Sequence, residues 1–141
     1  MRLIALFVLG AACNPLLSAA QRAVTPSEQL DQIDALLQAQ PAWILATTAV
    51  VLVIVIPVLE ELIFRGFLYY VLRRACSPAA AGAAVAALFS AMHGWPAALW
   101  LLPLAAGLSV LRARYGLAEC IALHCGFNFG GVVLPQVLAC I

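Results

Sequence analysis

Polar positions are so rare along most of this chain that their spacing is the first thing to read. Leu3–Ala12 is an unbroken apolar run behind Met1-Arg2. Up to its closing Arg73-Arg74, the stretch Pro41–Arg74 is apolar apart from Thr47, Thr48 and the charges of Leu59-Glu60-Glu61-Leu62-Ile63-Phe64-Arg65. At about 1.5 Å per residue this stretch exceeds the roughly 30 Å hydrocarbon core of a bilayer. A helix of that length must tilt, or kink at Pro57. Ala79–His93 is rich in alanine, and small residues let helices approach closely in lipid. Gly94-Trp95-Pro96 reads as a turn or a kinked junction. Leu99–Leu111, with Pro103 inside it, predicts a further span closed by Arg112, Arg114 and Gly116. Glu119–Leu138 predicts the last one, interrupted by Gly126, Gly130, Gly131 and Pro135.

Residues 21–40 form the one polar block. Thr25-Pro26-Ser27-Glu28 has the form of a helix start, with a threonine cap, a proline at the first position and a glutamate three after the cap. Leu30, Ile33, Leu36 and Leu37 then share a face. The pattern predicts a short amphipathic helix on the membrane surface or over the mouth of the bundle. The chain thus divides into residues 1–40, a hydrophobic span plus this polar segment, and residues 41–141, the core. Ser18-Ala19-Ala20 has the small-residue character of a signal-peptide cleavage site; a retained first span is the reading favoured.

Composition turns these runs into a class. Of 141 residues, 66% are hydrophobic and 9% charged, with a mean hydropathy of +1.09. Soluble domains average roughly 45–50% apolar and about 25% charged. The expected fold is therefore all-α: a polytopic membrane helix bundle of about five spans. Lysine is absent and all seven basic residues are arginine. With Arg2, Arg73-Arg74 and Arg112/Arg114 on the cytoplasmic side and the acidic 21–40 block opposite, the arginines follow the positive-inside rule, Arg22 excepted. The expected location is the cell (inner) membrane, crossed several times. A net charge of +1, with no basic cluster beyond Arg73-Arg74, excludes a nucleic-acid partner. The five cysteines are odd in number and form no CxxC pair, which argues for small packing residues rather than a disulfide framework or zinc knuckle.

Candidate chemistry lies in the few polar groups left inside the spans. An ionisable side chain there costs about 2.5–3.5 kcal/mol on insertion scales, so each is a functional candidate. They are Glu60, Glu61, Arg65, His93 and His124, with Asn128 as an amide. Glu61 and Arg65 are four residues apart and share a helix face, as do His124 and Asn128, and Phe89 and His93. Arg65 can hold Glu61 charged and in place. Glu60, His93 and His124 are also a sufficient donor set for a catalytic zinc, although HExxH is absent. A buried ion pair and an interhelical hydrogen-bond pair account for the same residues without chemistry.

In order, Glu60-Glu61-Leu62-Ile63-Phe64-Arg65 reads EExxxR, Phe89-Ser90-Ala91-Met92-His93 reads FxxxH, and His124-Cys125-Gly126-Phe127-Asn128 reads HxxxN. On successive helices these resemble the CPBP family of intramembrane proteases, which includes the type II CAAX prenyl endopeptidases. The resemblance covers roughly residues 42–134. It implies that Glu60 and His93 polarise an attacking water, that Glu61 with Arg65 braces them, and that His124 and Asn128 stabilise the oxyanion or hold a water or metal. Phe64, Phe89 and Phe127 are expected beside the substrate cavity. The implied substrate is a membrane-associated peptide, prenylated in the CAAX manner. Membrane lipids are partners, and a second copy or a partner subunit is expected to complete the cavity. Zinc is the one cofactor considered, with a metal-free glutamate mechanism slightly ahead. One stretch departs from the family: where R-T-G-S-L-W is common, Arg114-Tyr115-Gly116-Leu117-Ala118-Glu119 places a glutamate in an apolar position. At a helix start a glutamate also suits the dipole. A non-catalytic scaffold or immunity protein, and a proton relay, are the competing classes.

Overall fold

The long apolar stretch passes Pro57 without breaking. In the computed structural model, which describes residues 1–22 and 39–138, residues Ala42–Leu72 form one helix, here α2. It accommodates the proline by widening. Over Val51–Val55 the turns are π-helical, and the Ile56 N–H donates five residues back to Val51 O. One step along, the same pattern would send the N–H of residue 57 to Leu52 O, but proline has no N–H. The Asn128 side chain supplies that donor, Nδ2 lying 2.8 Å from Leu52 O. A second π-helical stretch follows at Leu62–Leu68, where the Tyr69 N–H reaches Phe64 O. Between the two lies a short α-helical piece, Ile56–Glu61, carrying the paired glutamates. Such π stretches are rare and collect at functional sites.

The remaining elements are α1 (Arg2–Arg22), α3 (Pro78–Ala91), α4 (Ala97–Arg114), α5 (Leu117–Val132) and the short α6 (Leu134–Leu138). The described residues contain no strand, as an all-α membrane bundle requires. Helix α3 starts on Ser77, whose hydroxyl accepts from the Ala80 N–H at 3.2 Å, with Pro78 at the first position. It buries Ala81, Val85, Ala86 and Phe89, in a cluster with Phe64, Tyr69 and Ala105. Gly94, at φ 73°, turns the chain into α4. Helix α5 gives way at Val133, two residues before Pro135.

Among the described residues three helices are long and apolar enough to cross a membrane: α1 over Arg2–Ala19, α2 and α4. Helices α3 and α5, of 14 and 16 residues, reach only about 21 and 24 Å. So of the five expected spans two are short, cut by the turn at Gly94 and by the break before Pro135. The amphipathic helix expected over residues 25–37 lies outside the described residues.

Helix α1 runs parallel to α5 with almost nothing between the backbones. A Cβ on Gly126 would land on the Phe7 carbonyl, one on Gly130 on the Ala11 carbonyl, and one on Gly10 on the Leu123 carbonyl. Gly126 and Gly130 form a GxxxG seam of the kind that allows such approach in lipid. Phe7 and Phe129 flank it, ring centres 5.4 Å apart. A second cluster, Leu104, Leu108, Cys120, Leu123 and Phe127 with Leu6, Cys13 and Leu17, fills the space between α1, α4 and α5.

Candidate active site

Glu61 and Arg65, both 0% exposed, are bonded at 2.9 Å between Glu61 Oε1 and Arg65 Nη1. Burying both charges has a large desolvation cost, tolerable only with further hydrogen bonds. Arg65 Nη2 donates to Ala105 O at 3.3 Å, and the guanidinium carbon lies 4.3 Å from the centre of the Phe89 ring. Cation–π attraction there helps replace the lost water.

Glu61 Oε1 takes a second bond, from His124 Nδ1 at 2.8 Å. A carboxylate shared with a guanidinium is an acceptor, so Nδ1 carries the proton. His93 has the same tautomer for a different reason: its Nδ1 is 2.8 Å from Phe89 O, and a carbonyl only accepts. Both imidazoles thereby turn Nε2 toward Glu60. His124 Nε2 lies 3.6 Å from Glu60 Oε2, and His93 Nε2 lies 3.9 Å from Glu60 Oε1. Neither is a hydrogen bond.

Exposure grades across the cluster. Glu61 and His124 are closed off at 0% and 4%, while the Glu60 and His93 side chains are 25% and 33% exposed. Phe89 sits at the centre. Its ring is 5.2 Å from Phe64, 4.8 Å from His93 and 5.6 Å from His124.

A model of the Rce1-like type II CAAX prenyl endopeptidases matches residues 41–130. The chain belongs to this family. It is therefore a protease that sits in lipid and acts on protein. No curated protein and no solved structure matches it.

The Rce1-like match spans all six polar residues singled out in the sequence, and five converge: Glu60, Glu61, Arg65, His93 and His124. Asn128 stands apart, its amide engaged by Leu52 O. Phe64 and Phe89 border the cluster but are packed, at 7% and 1% exposure. Phe127 lies with Leu123 and Cys120 on the side facing α1 and α4. Arg112, read in the sequence only as a charge closing α4, donates from Nε to Arg65 O at 2.8 Å and covers the Tyr69 ring at 5.3 Å. Its place in the chain carries no sign of this, since the contact depends on how α4 crosses α2. In the sequence Gly126 and Gly130 read only as interruptions of a span, although their GxxxG spacing is the signal that marks the seam.

For zinc, the donor types of Glu60, His93 and His124 are suitable, and each Nδ1 is held by an acceptor as in zinc-binding histidines. Among the described residues, however, no three His, Cys, Asp or Glu side chains are grouped to hold a metal ion.

Proposed function

We propose that this Rce1-like protein cleaves its substrate with a water activated by Glu60. The supporting observation is the pair of imidazole Nε2 atoms, at 3.6 and 3.9 Å, aimed at the one glutamate of the cluster that is partly open. Glu60 and His93 Nε2 both present lone pairs, so a water between them donates to each and turns its own lone pair outward. As its oxygen attacks the peptide carbonyl carbon, Glu60 takes its proton. The carbon–nitrogen bond then breaks, and Glu60 returns the proton to the leaving amine.

Glu61 serves as the brace. With Arg65 beneath it, it holds His124 so that Nε2 faces the reacting centre, where a protonated His124 donates to the oxyanion. Asn128 has a second amide N–H beyond the one engaged by Leu52 O, and it is the further candidate donor. The substrate is a membrane-anchored, prenylated protein end, approaching from the side where Glu60 and His93 are exposed. A second copy or partner subunit completes that side.

Glu60→Gln tests the reading with a prenylated peptide probe on protein that inserts and unfolds normally. General-base loss predicts a fall in cleavage of about 100-fold or more. Near-normal cleavage would sink the mechanism and favour a scaffold reading. Metal analysis beside a chelator test belongs with it: stoichiometric metal and cleavage lost to chelation would replace the glutamate mechanism with a metal one.

A further inference from the structure

Every group in the cluster except His93 hangs on α2 or is held by it, so the register of α2 decides the geometry. That register is set by two π-helical stretches, and each has one carbonyl captured from outside the helix. Leu52 O, in the first, is held by Asn128 from α5. Arg65 O, in the second, is held by Arg112 from α4 at 2.8 Å. The two clamps bracket Glu60 and Glu61.

We propose that Arg112 is a positioning residue of the hydrolytic reaction, acting through the backbone of Arg65. The inference rests on the glutamate reading above. A π stretch can relax to α-helix by passing its extra residue along the chain, which turns the following side chains by about 100°. Arg112 fixes the carbonyl of the residue whose side chain holds Glu61. Arg65 holds Glu61 at 2.9 Å, Glu61 holds His124 at 2.8 Å, and His124 faces Glu60. Slippage at Arg65 O therefore reaches the reacting atoms through two hydrogen bonds. Tyr69, buried in the same cluster as Phe89, supports the Arg112 guanidinium, whose carbon lies 5.3 Å from the centre of its ring.

The donor is Nε rather than a terminal nitrogen, and this makes the role testable. Counting atoms from Cα, glutamine places its amide nitrogen where arginine has Nε, whereas lysine has a methylene there. Arg112→Gln should thus keep the clamp without the charge, and Arg112→Lys should keep the charge without the clamp. A purely topological or surface role predicts the reverse order.

Arg65-Gly66 is the one Arg-Gly step in the sequence. Protein labelled with carbonyl-13C arginine and 15N glycine therefore gives a single resonance for Arg65 C=O. In Arg112→Ala and Arg112→Lys this resonance should move and kcat should fall about tenfold or more with KM nearly unchanged. In Arg112→Gln both should stay close to wild type, as they should in Arg114→Ala, the exposed neighbour. An unmoved resonance in Arg112→Ala, an unchanged kcat, or a lysine variant better than the glutamine one would overturn the proposal. Should Arg112→Ala fail to fold, the glutamine and lysine variants still decide. If the Arg112 series behaves as stated while Glu60→Gln still cleaves, the base assignment fails and the clamp stands.

Discussion

Helix α5 is held from two sides by opposite means. Toward α1 it offers Gly126 and Gly130, and backbone meets backbone with no side chain between. Toward α2 it offers His124 and Asn128, whose tips reach Glu61 Oε1 and Leu52 O. Residues 124 and 128 share one face, and 126 and 130 lie about 200° round from them. The glycine side fixes the depth of α5 by van der Waals contact, which in lipid must take the place of a hydrophobic drive. The polar side needs that depth, because a hydrogen bond fails within a few tenths of an ångström. If so, seam substitutions act on stability first and cluster substitutions on activity first.

The largest effect on stability should come from Gly126→Val. Its Cβ would meet the Phe7 carbonyl, and backbone cannot rotate away as a side chain can. Overpacking by a side chain that can shift costs about 1–3 kcal/mol, occasionally more; here backbone is driven against backbone along a seam of three such contacts, so the loss should exceed the roughly 3–5 kcal/mol of a broken buried ion pair. Thermal unfolding in detergent should show a large loss, whereas Gly107→Ala, with nothing within 4 Å of the new Cβ, should show none. Equal behaviour of the two would dissolve the idea of a seam.

Glu61→Gln comes next and separates the two regions most cleanly. Removing one charge leaves Arg65, 0% exposed, without its counterion, at a cost of about 3–5 kcal/mol. Glu61→Gln with Arg65→Met removes both charges and should regain most of that stability, since a buried pair is often replaceable by apolar groups. Cleavage should remain low, because the neutral amide oxygen left at position 61 is a weaker acceptor for the His124 Nδ1–H and is no longer oriented by Arg65. A double variant that recovers cleavage along with stability would make the pair structural only.

How far the sequence could anticipate this differs from one residue to the next. The i, i+4 spacing of Glu61 and Arg65 already forces a shared face, and their bond is seen at 2.9 Å. The three motifs, at 60–65, 89–93 and 124–128, fall on successive apolar helices, and five of the six polar groups do converge. Phe127 shows the limit. It is three residues from His124, close enough round the helix to be assigned to the same face, yet it packs with Leu123 and Cys120. Only the position of α1 and α4 decides that. Gly126 and Gly130 were read as interruptions of a span, when their spacing is a packing signal. The π stretches have no letter code at all. Pro57 announces a lost donor, but whether the helix kinks or widens depends on whether Asn128 arrives to serve Leu52 O.

That dependence gives the next prediction. Asn128→Ala should cost about 1–2 kcal/mol by leaving Leu52 O unserved. Pro57→Ala restores an N–H at residue 57 that can reach Leu52 O five residues back. In the Pro57→Ala background Asn128→Ala should therefore cost much less, a coupling that a double-mutant cycle measures directly. Additive effects would separate Asn128 from the widened turn and leave it as an oxyanion donor alone.

The smallest effect is expected at the end of the seam, where the sequence departs from the family. Glu119 occupies a position usually apolar, and here Oε1 lies 3.7 Å from Arg2 Nη1, with side chains 17% and 64% exposed. Arg2 also covers the Tyr115 ring at 4.9 Å. The glutamate thus ties the first turn of α1 to the first turn of α5, parallel to the glycine contacts further along. An ion pair this open is worth about 0.2–1 kcal/mol and is screened by salt. Glu119→Leu, which restores the family's apolar character, should shift the unfolding midpoint slightly at low salt and not at high salt. Cleavage should be unchanged, since Gly126 and Gly130 still set the depth of His124. A tenfold loss of cleavage in Glu119→Leu would mean that the seam does not fix α5 by itself, and that this one charge at its edge is part of what positions the site.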